Sequence, residues 1–266
     1  MFLLPKKRGK TLSVDVGSLS AKVLVTEGHY PDSLKVIDYR VVQLREKGKP
    51  VSAEETGEIL HHTLQSLSFN PTTVRSVVST RQEVVRVVDM PRVNEQELRK
   101  TAGYQLGRHV PFSQRDAVFD CCPLRDTENG AEKDTQKCLL VAVRREIVEE
   151  HNSIFKASGI VPLLLDIEPV AVMNAYLCAG QDFERENGMR AVEDEGVALI
   201  HLGAHHTDLS VLRGPAPVAC RAVEFDMERV VASLEGKSAT AEGEEDIVYT
   251  GENPDRLMSQ LSTELQ

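Results

Sequence analysis

Val14-Asp15-Val16-Gly17-Ser18-Leu19-Ser20-Ala21-Lys22-Val23 alternates apolar and polar residues on both sides of a Gly-Ser step. Leu12, Val14 and Val16 set the alternation, and Val23 and Val25 resume it after the step, so Thr11 to Glu27 reads as two strands around a tight turn. Far downstream, Ile200-His201-Leu202-Gly203-Ala204-His205-His206-Thr207-Asp208-Leu209 follows the same plan: a strand, a glycine with a small neighbour, a returning strand. Turn geometry alone explains one such hairpin. Two of them, separated by an inserted block and a connector, indicate a duplicated unit. Glycine at each turn lets backbone N–H groups approach an anion, and Ser or Thr hydroxyls add donors. Facing hairpins can therefore clamp a phosphate chain between two halves.

The intervening chain is mixed α/β. Leu34 to Leu44 is a third strand after a Pro-Asp turn, and Ser52 with Glu55 makes a capping-box signal for a helix through Ile59, Leu60, Leu64 and Leu67, ended at Pro71. Strands follow at Arg75 to Ser79 and Val84 to Asp89, then a helix capped by Asn94 that runs through Leu98, Ala102 and Leu106. Strands over Ala117 to Cys122 and Lys137 to Val143 flank a polar loop from Asp126 to Gln136, and a helix from Arg144 to Ala157 closes the block. That order describes a compact α+β subdomain inserted into a larger fold. Val161 to Ile167 reads as a buried strand leading into a helix through Ala171, Met173 and Leu177. The expected division is residues 1–80 and 161–180 as the first half, 81–160 as the inserted subdomain, 181–195 as a charged connector and 196–266 as the second half.

At this point the residues reach a known family. Asp15-Val16-Gly17-Ser18-Leu19-Ser20-Ala21-Lys22 resembles the first phosphate loop of actin-like proteins, and of the PilM family in particular. Arg86-Val87-Val88-Asp89-Met90-Pro91, Tyr104-Gln105-Leu106-Gly107-Arg108-His109-Val110-Pro111-Phe112 and Asp166-Ile167-Glu168-Pro169-Val170-Ala171-Val172-Met173-Asn174-Ala175-Tyr176 resemble PilM patterns in the same order. The likeness covers most of Thr11 to Phe225. It implies an α/β, actin-like (ribonuclease H-like) duplicated fold with an inserted α+β subdomain. It also implies a cytoplasmic scaffold of the type IV pilus assembly platform, held at the inner membrane through a PilN-like protein that offers its cytoplasmic N-terminal peptide. Other platform components are implied partners, and homo-oligomerisation is left open.

The resemblance further implies ATP and Mg²⁺ between the halves, with Asp15 holding hydrated Mg²⁺ and Gly17, Ser18, Ser20 and Lys22 around the phosphates. Glu168 would face the metal's water shell or the attacking water. Read without the resemblance, Asp15 is a strand-end turn cap and Glu168 a helix N-terminal acid. The second loop departs from the family, which usually has Asp where this chain has His201 and small hydroxyl residues where it has His205 and His206. An imidazole cannot replace a carboxylate in holding magnesium water, because Mg²⁺ strongly prefers oxygen. Weak or absent hydrolysis is expected, with Gly203, Ala204 and Thr207 left to support phosphate, and no catalytic residue is assigned. His201, His205 and His206 are also a candidate zinc or nickel site, although positions across a turn do not by themselves guarantee convergence. His61-His62 reads as a surface pair.

Composition narrows the partners. Lys and Arg total 31 against 41 Asp and Glu, a formal net charge of -10 that argues against nucleic acid. No stretch approaches the ~20 apolar residues of a membrane span, and Met1 to Pro5 is too short for a signal peptide. Lys6, Lys7, Arg8 and Lys10 read as a solvated tail, and Cys121, Cys122, Cys138, Cys178 and Cys220, without Cys-x-x-Cys spacing, as reduced cytosolic thiols. Pro254 to Gln266 opens a helix on a Leu257, Leu261, Leu265 stripe. In the PilM family more strands and an adenosine-cradling segment follow such a helix, so a truncated second half is expected. The competing readings are the cytoplasmic part of a GspL-like type II secretion protein, an FtsA-like filament protein, and an active ATPase or small-molecule kinase of the same fold. His201 argues against the last.

Overall fold

The computed structural model describes residues 9–28, 33–44, 51–67, 73–124, 134–180, 196–204, 206–214 and 216–223. Strands β1 (Lys10–Val16), β2 (Ser20–Glu27) and β3 (Lys35–Gln43) form an antiparallel meander. Alternation buries Leu12 and Val14 of β1 and Ala21, Val23 and Val25 of β2 on its inner face. Helix α1 (Ala53–Gln65) starts on the capping box: the Glu55 amide donates to Ser52 Oγ at 3.2 Å and the Ser52 amide to the Glu55 carboxylate at 2.8 Å. Strand β4 (Thr73–Val78) then lies parallel to β1.

The next unit is an antiparallel sheet of β5 (Val84–Pro91), β6 (Ala117–Pro123) and β7 (Thr135–Arg144), with β7 in the centre. Helix α2 (Glu95–Gln105), capped by Asn94, lays Leu98 and Ala102 on this sheet. Helix α3 (Arg145–Ser158) belongs to two cores. Its Phe155 and Ile154 pack with Leu12, Val14, Val25 and Leu60, while its Ile147 and Val148 pack with Leu139 and Val143 of β7. Against α1 it comes so close that a Cβ on Gly57 would lie 2.4 Å from Ala157 Cβ and 2.7 Å from the Ile154 carbonyl oxygen.

Strand β8 (Leu164–Ile167) joins β4 in parallel, giving the order β3-β2-β1-β4-β8, and helix α4 (Glu168–Ala175) follows directly. Strands β9 (Gly196–Leu202), β10 (Thr207–Arg213) and β11 (Ala216–Val223) make a second antiparallel meander in the order β11-β10-β9. The second meander repeats the first, so the duplication extends from a hairpin to three strands. Leu212 and Leu199 of the second sheet pack with Ile167, Val170 and Met173, tying it to α4.

Several sequence expectations need correction. The strand expected from Val161 to Ile167 is confined to β8, and Val161 and Leu163 are 83% and 72% exposed, because this segment reaches the sheet only at its edge. The helix after it ends at Ala175, with Leu177 in a π-helical turn over Tyr176–Gly180. The polar loop is shorter than expected, since Thr135 and Gln136 already belong to β7. His61 is half-buried rather than on the surface, its Nδ1 lying 3.0 Å from the Ser158 carbonyl oxygen of α3. The connector at 181–195, the basic cluster apart from Lys10, the Pro-Asp turn, Pro71 and the helix expected from Pro254 to Gln266 lie outside the described residues. No described helix is long and apolar enough to cross a membrane. No disulfide joins the described cysteines.

Candidate functional site

Hairpin register decides which side chains face each other. In the first hairpin Asp15 pairs across the strands with Lys22, and Lys22 Nζ donates to Asp15 Oδ2 at 2.7 Å in an exposed ion pair. The turn closes with the Gly17 amide on the Ser20 carbonyl oxygen at 3.1 Å. In the second hairpin His201 pairs with Asp208, and the Gly203 amide donates to the His206 carbonyl oxygen at 2.9 Å. A Cβ on Gly203 would lie 2.6 Å from that oxygen, so this turn admits only glycine.

The two turns face a cleft of about 560 Å³. Asp15, Gly17, Ser18, Ser20 and Lys22 line it from the first hairpin, Glu168 from the start of α4, and His201, Gly203, Ala204 and His206 from the second hairpin. Thr207 is fully buried and does not line it. As the first residue of β10 it lies between His206 and Asp208, and strand alternation turns it to the opposite face. The Gly203 amide is committed to its own turn, which leaves Ala204 rather than Gly203 as a backbone donor. His205 lies outside the described residues.

The site also gathers Asp208 and Ser79, which the sequence reading left out. Alternation puts His206 and Asp208 on one side of β10, register brings His201 opposite, and the β8-to-α4 junction delivers Glu168 from across the cleft. His206 Nε2 stands 3.3 Å from Glu168 Oε2 and 3.5 Å from Asp208 Oδ2, and His201 Nδ1 stands 3.3 Å from Glu168 Oε1 and 4.0 Å from Asp208 Oδ2. Ser79 Oγ donates to Glu168 Oε2 at 2.5 Å and fixes that carboxylate. Asp208 is 2% exposed, and neither of its carboxylate oxygens has a hydrogen bond of normal length.

Electrostatics follows from this crowding. The Asp208 carboxylate, and after it Glu168, push the His206 imidazole up to about 10 against the effect of burial. His201 is raised by the same carboxylates, Asp208 foremost. Burial works to raise Asp208 and Glu168, but the facing imidazoles, with Ser79 at Glu168, outweigh it and hold both below the usual carboxylate range. At Glu83 the balance reverses: burial first, and then the Asp208 charge, outweigh the His206 imidazole and push the carboxyl up to about 8. On α3, against the first sheet, burial pushes the His151 imidazole down to about 4. Ser76 Oγ donates to the Val14 carbonyl oxygen at 2.8 Å, so His151 Nε2, 2.9 Å from that hydroxyl, carries the hydrogen and donates to it.

The first wall, with one carboxylate and two hydroxyl residues, suits a hydrated Mg²⁺ and a polyphosphate. The second wall suits Mg²⁺ less well, because imidazoles sit among its carboxylates. A Mg²⁺–nucleotide clamp shared between equivalent loops is thus not what these residues build.

The family model for type IV pilus assembly protein PilM matches residues 13–235. The chain belongs to the PilM family. The solved structure of a PilM-PilN type IV pilus biogenesis complex resembles it with a TM-score of 0.68 at 19% identity, over 87% of this chain and 66% of that one. The chain thus spans just under two thirds of that PilM-family structure. Two more distant structures are the cytoplasmic domain of EpsL, an inner membrane component of the Vibrio cholerae type II secretion system (14% identity, 96% and 94% covered, TM-score 0.47), and a Bacteroides thetaiotaomicron protein with an actin-like ATPase fold (9% identity, 100% and 92% covered, TM-score 0.46). The actin-like fold and the PilM family expected from the sequence both hold.

Proposed function

We propose that this PilM-family chain is a scaffold of the type IV pilus assembly platform that works by binding other proteins rather than by turning over nucleotide. The observation that carries this reading is the family match over residues 13–235. The expected partner is the cytoplasmic N-terminal peptide of a PilN-like inner-membrane protein, which would hold the chain at the membrane. Its other partners are further platform components. Nucleotide is held weakly or not at all, because in the second wall of the cleft the carboxylates that would hold the water shell of Mg²⁺ are occupied by imidazoles.

Calorimetry on the full-length protein tests both halves of this reading. A PilN-like N-terminal peptide is expected to bind with micromolar affinity, as extended peptides on preformed grooves do. ATP with Mg²⁺ is expected not to saturate below millimolar concentration. Absence of peptide binding sinks the scaffold reading, and a Mg²⁺-dependent ATPase rate abolished by Asp15→Ala sinks the non-turnover reading.

A further inference from the structure

The geometry points to a transition-metal site made by Glu168, His206 and Asp208, with zinc as its reference ion. One oxygen or nitrogen from each of these residues falls within 4.8 Å of the others. The spacing carries the assignment. Charge-assisted hydrogen bonds between imidazole and carboxylate are normally about 2.7–2.9 Å long, whereas His206 Nε2 stands 3.3 Å from Glu168 Oε2 and 3.5 Å from Asp208 Oδ2. Ligand atoms about 2.0–2.1 Å from zinc at the corners of a tetrahedron stand about 3.3 Å from one another. Both His206 distances are longer than such a bond and match the spacing of two ligands about one ion.

A second observation is independent of spacing. Asp208 is 2% exposed with both carboxylate oxygens unbonded, and the buried His206 Nε2 also lacks a hydrogen bond. Buried polar atoms are normally satisfied, and an exception calls for an ion or an unseen partner. A dication that displaces the His206 proton to solvent leaves two carboxylates and one neutral imidazole around it, a sum of zero charge that offsets the cost of burying the carboxylates. The mixed nitrogen and oxygen set excludes magnesium and favours zinc and its neighbours in the first transition row. Ser79, donating to Glu168 Oε2, orients one ligand from outside the set, as metal carboxylates require. His201, 3.3 Å from Glu168 Oε1 and partly exposed, contacts the same carboxylate from outside the three-residue set. The inference does not rest on the scaffold reading.

The test titrates Zn²⁺, Co²⁺ and Mg²⁺ into chelator-treated full-length protein by calorimetry, alongside Co²⁺ absorption spectra. One equivalent of Zn²⁺ is expected at micromolar affinity or tighter, with no saturation by Mg²⁺ in the same range. His206→Ala and Asp208→Asn are each expected to weaken Zn²⁺ by at least about 100-fold, and Ser79→Ala by about 10-fold, the usual size of an outer-sphere effect. The Co²⁺ spectrum of the unsubstituted protein should show visible bands of nitrogen and oxygen ligation with no thiolate charge-transfer band. That spectrum keeps the test decisive should a variant not fold. Absence of one-equivalent Zn²⁺ binding, undiminished binding in folded His206→Ala, or a thiolate band overturns the assignment.

Discussion

The β1–β2 hairpin and the β9–β10 hairpin close with the same hydrogen bond, from the turn glycine to the carbonyl three residues on, at 3.1 and 2.9 Å. They order their charges in reverse. In the first, the acid Asp15 precedes the base Lys22; in the second, the base His201 precedes the acid Asp208. The first pair sits in water and the second is drawn into the protein, where His206 and Glu168 join it. The difference teaches that a duplicated backbone does not duplicate its chemistry. Burial decides whether a cross-strand pair is an incidental surface contact or an electrostatic commitment of the fold.

Substitutions can break or sharpen that contrast. The largest effect is expected from Asp208→Ala, which leaves buried imidazoles short of a counter-charge. Urea unfolding of metal-free protein should show a loss of about 3 kcal/mol. Next comes acid sensitivity seated on α3, where it meets the first sheet. His151 is held near 4 in the folded chain, against about 6.5 when unfolded. Its contribution is therefore complete above pH 6.5 and lost as pH falls toward 4. Unfolding curves of His151→Gln across that window should be flatter than those of the unsubstituted protein by about 2 kcal/mol. Gly57→Ala, which drives a methyl into α3, is expected to lower stability by about 2 kcal/mol, measured by thermal melting. The smallest effect belongs to Lys22→Ala, less than about 1 kcal/mol, because its partner and its own ammonium remain solvated. A Lys22 effect equal to that of Asp208 would erase the contrast.

Local chemistry made much of this legible. Ser52 with Glu55, and Asn94 ahead of its helix, are signals that act within one turn, and both caps form as expected. The paired hairpins were readable because alternation and a glycine turn are local as well. Asp208 was missed because its role depends on register. Only when Asp15 is aligned with His201 does Lys22 fall over Asp208, and that column identifies the opposing pair. Thr207 was assigned to the phosphates from its type, whereas strand alternation turns it inward. Strand β11 was not expected, since Pro217 breaks a run of strand residues. The structure accommodates it on an outer strand beside a register irregularity at Val211 and Leu212. The exposed approach to β8 is likewise a fact of sheet order, which no short window of sequence contains.

Helix α3 has a mechanical meaning. One of its faces is covered by the first sheet's core through Phe155, and another by the β7 side through Ile147 and Val148. To swivel the inserted unit against the first sheet, one of those faces must be uncovered, at about 25 cal/mol for each square ångström of apolar surface released. Gly57 tightens the engagement further by letting α1 grip the same helix backbone to backbone. The two bodies share this helix, so a load pulling on the inserted unit reaches, through it, the strands that carry the first turn of the cleft.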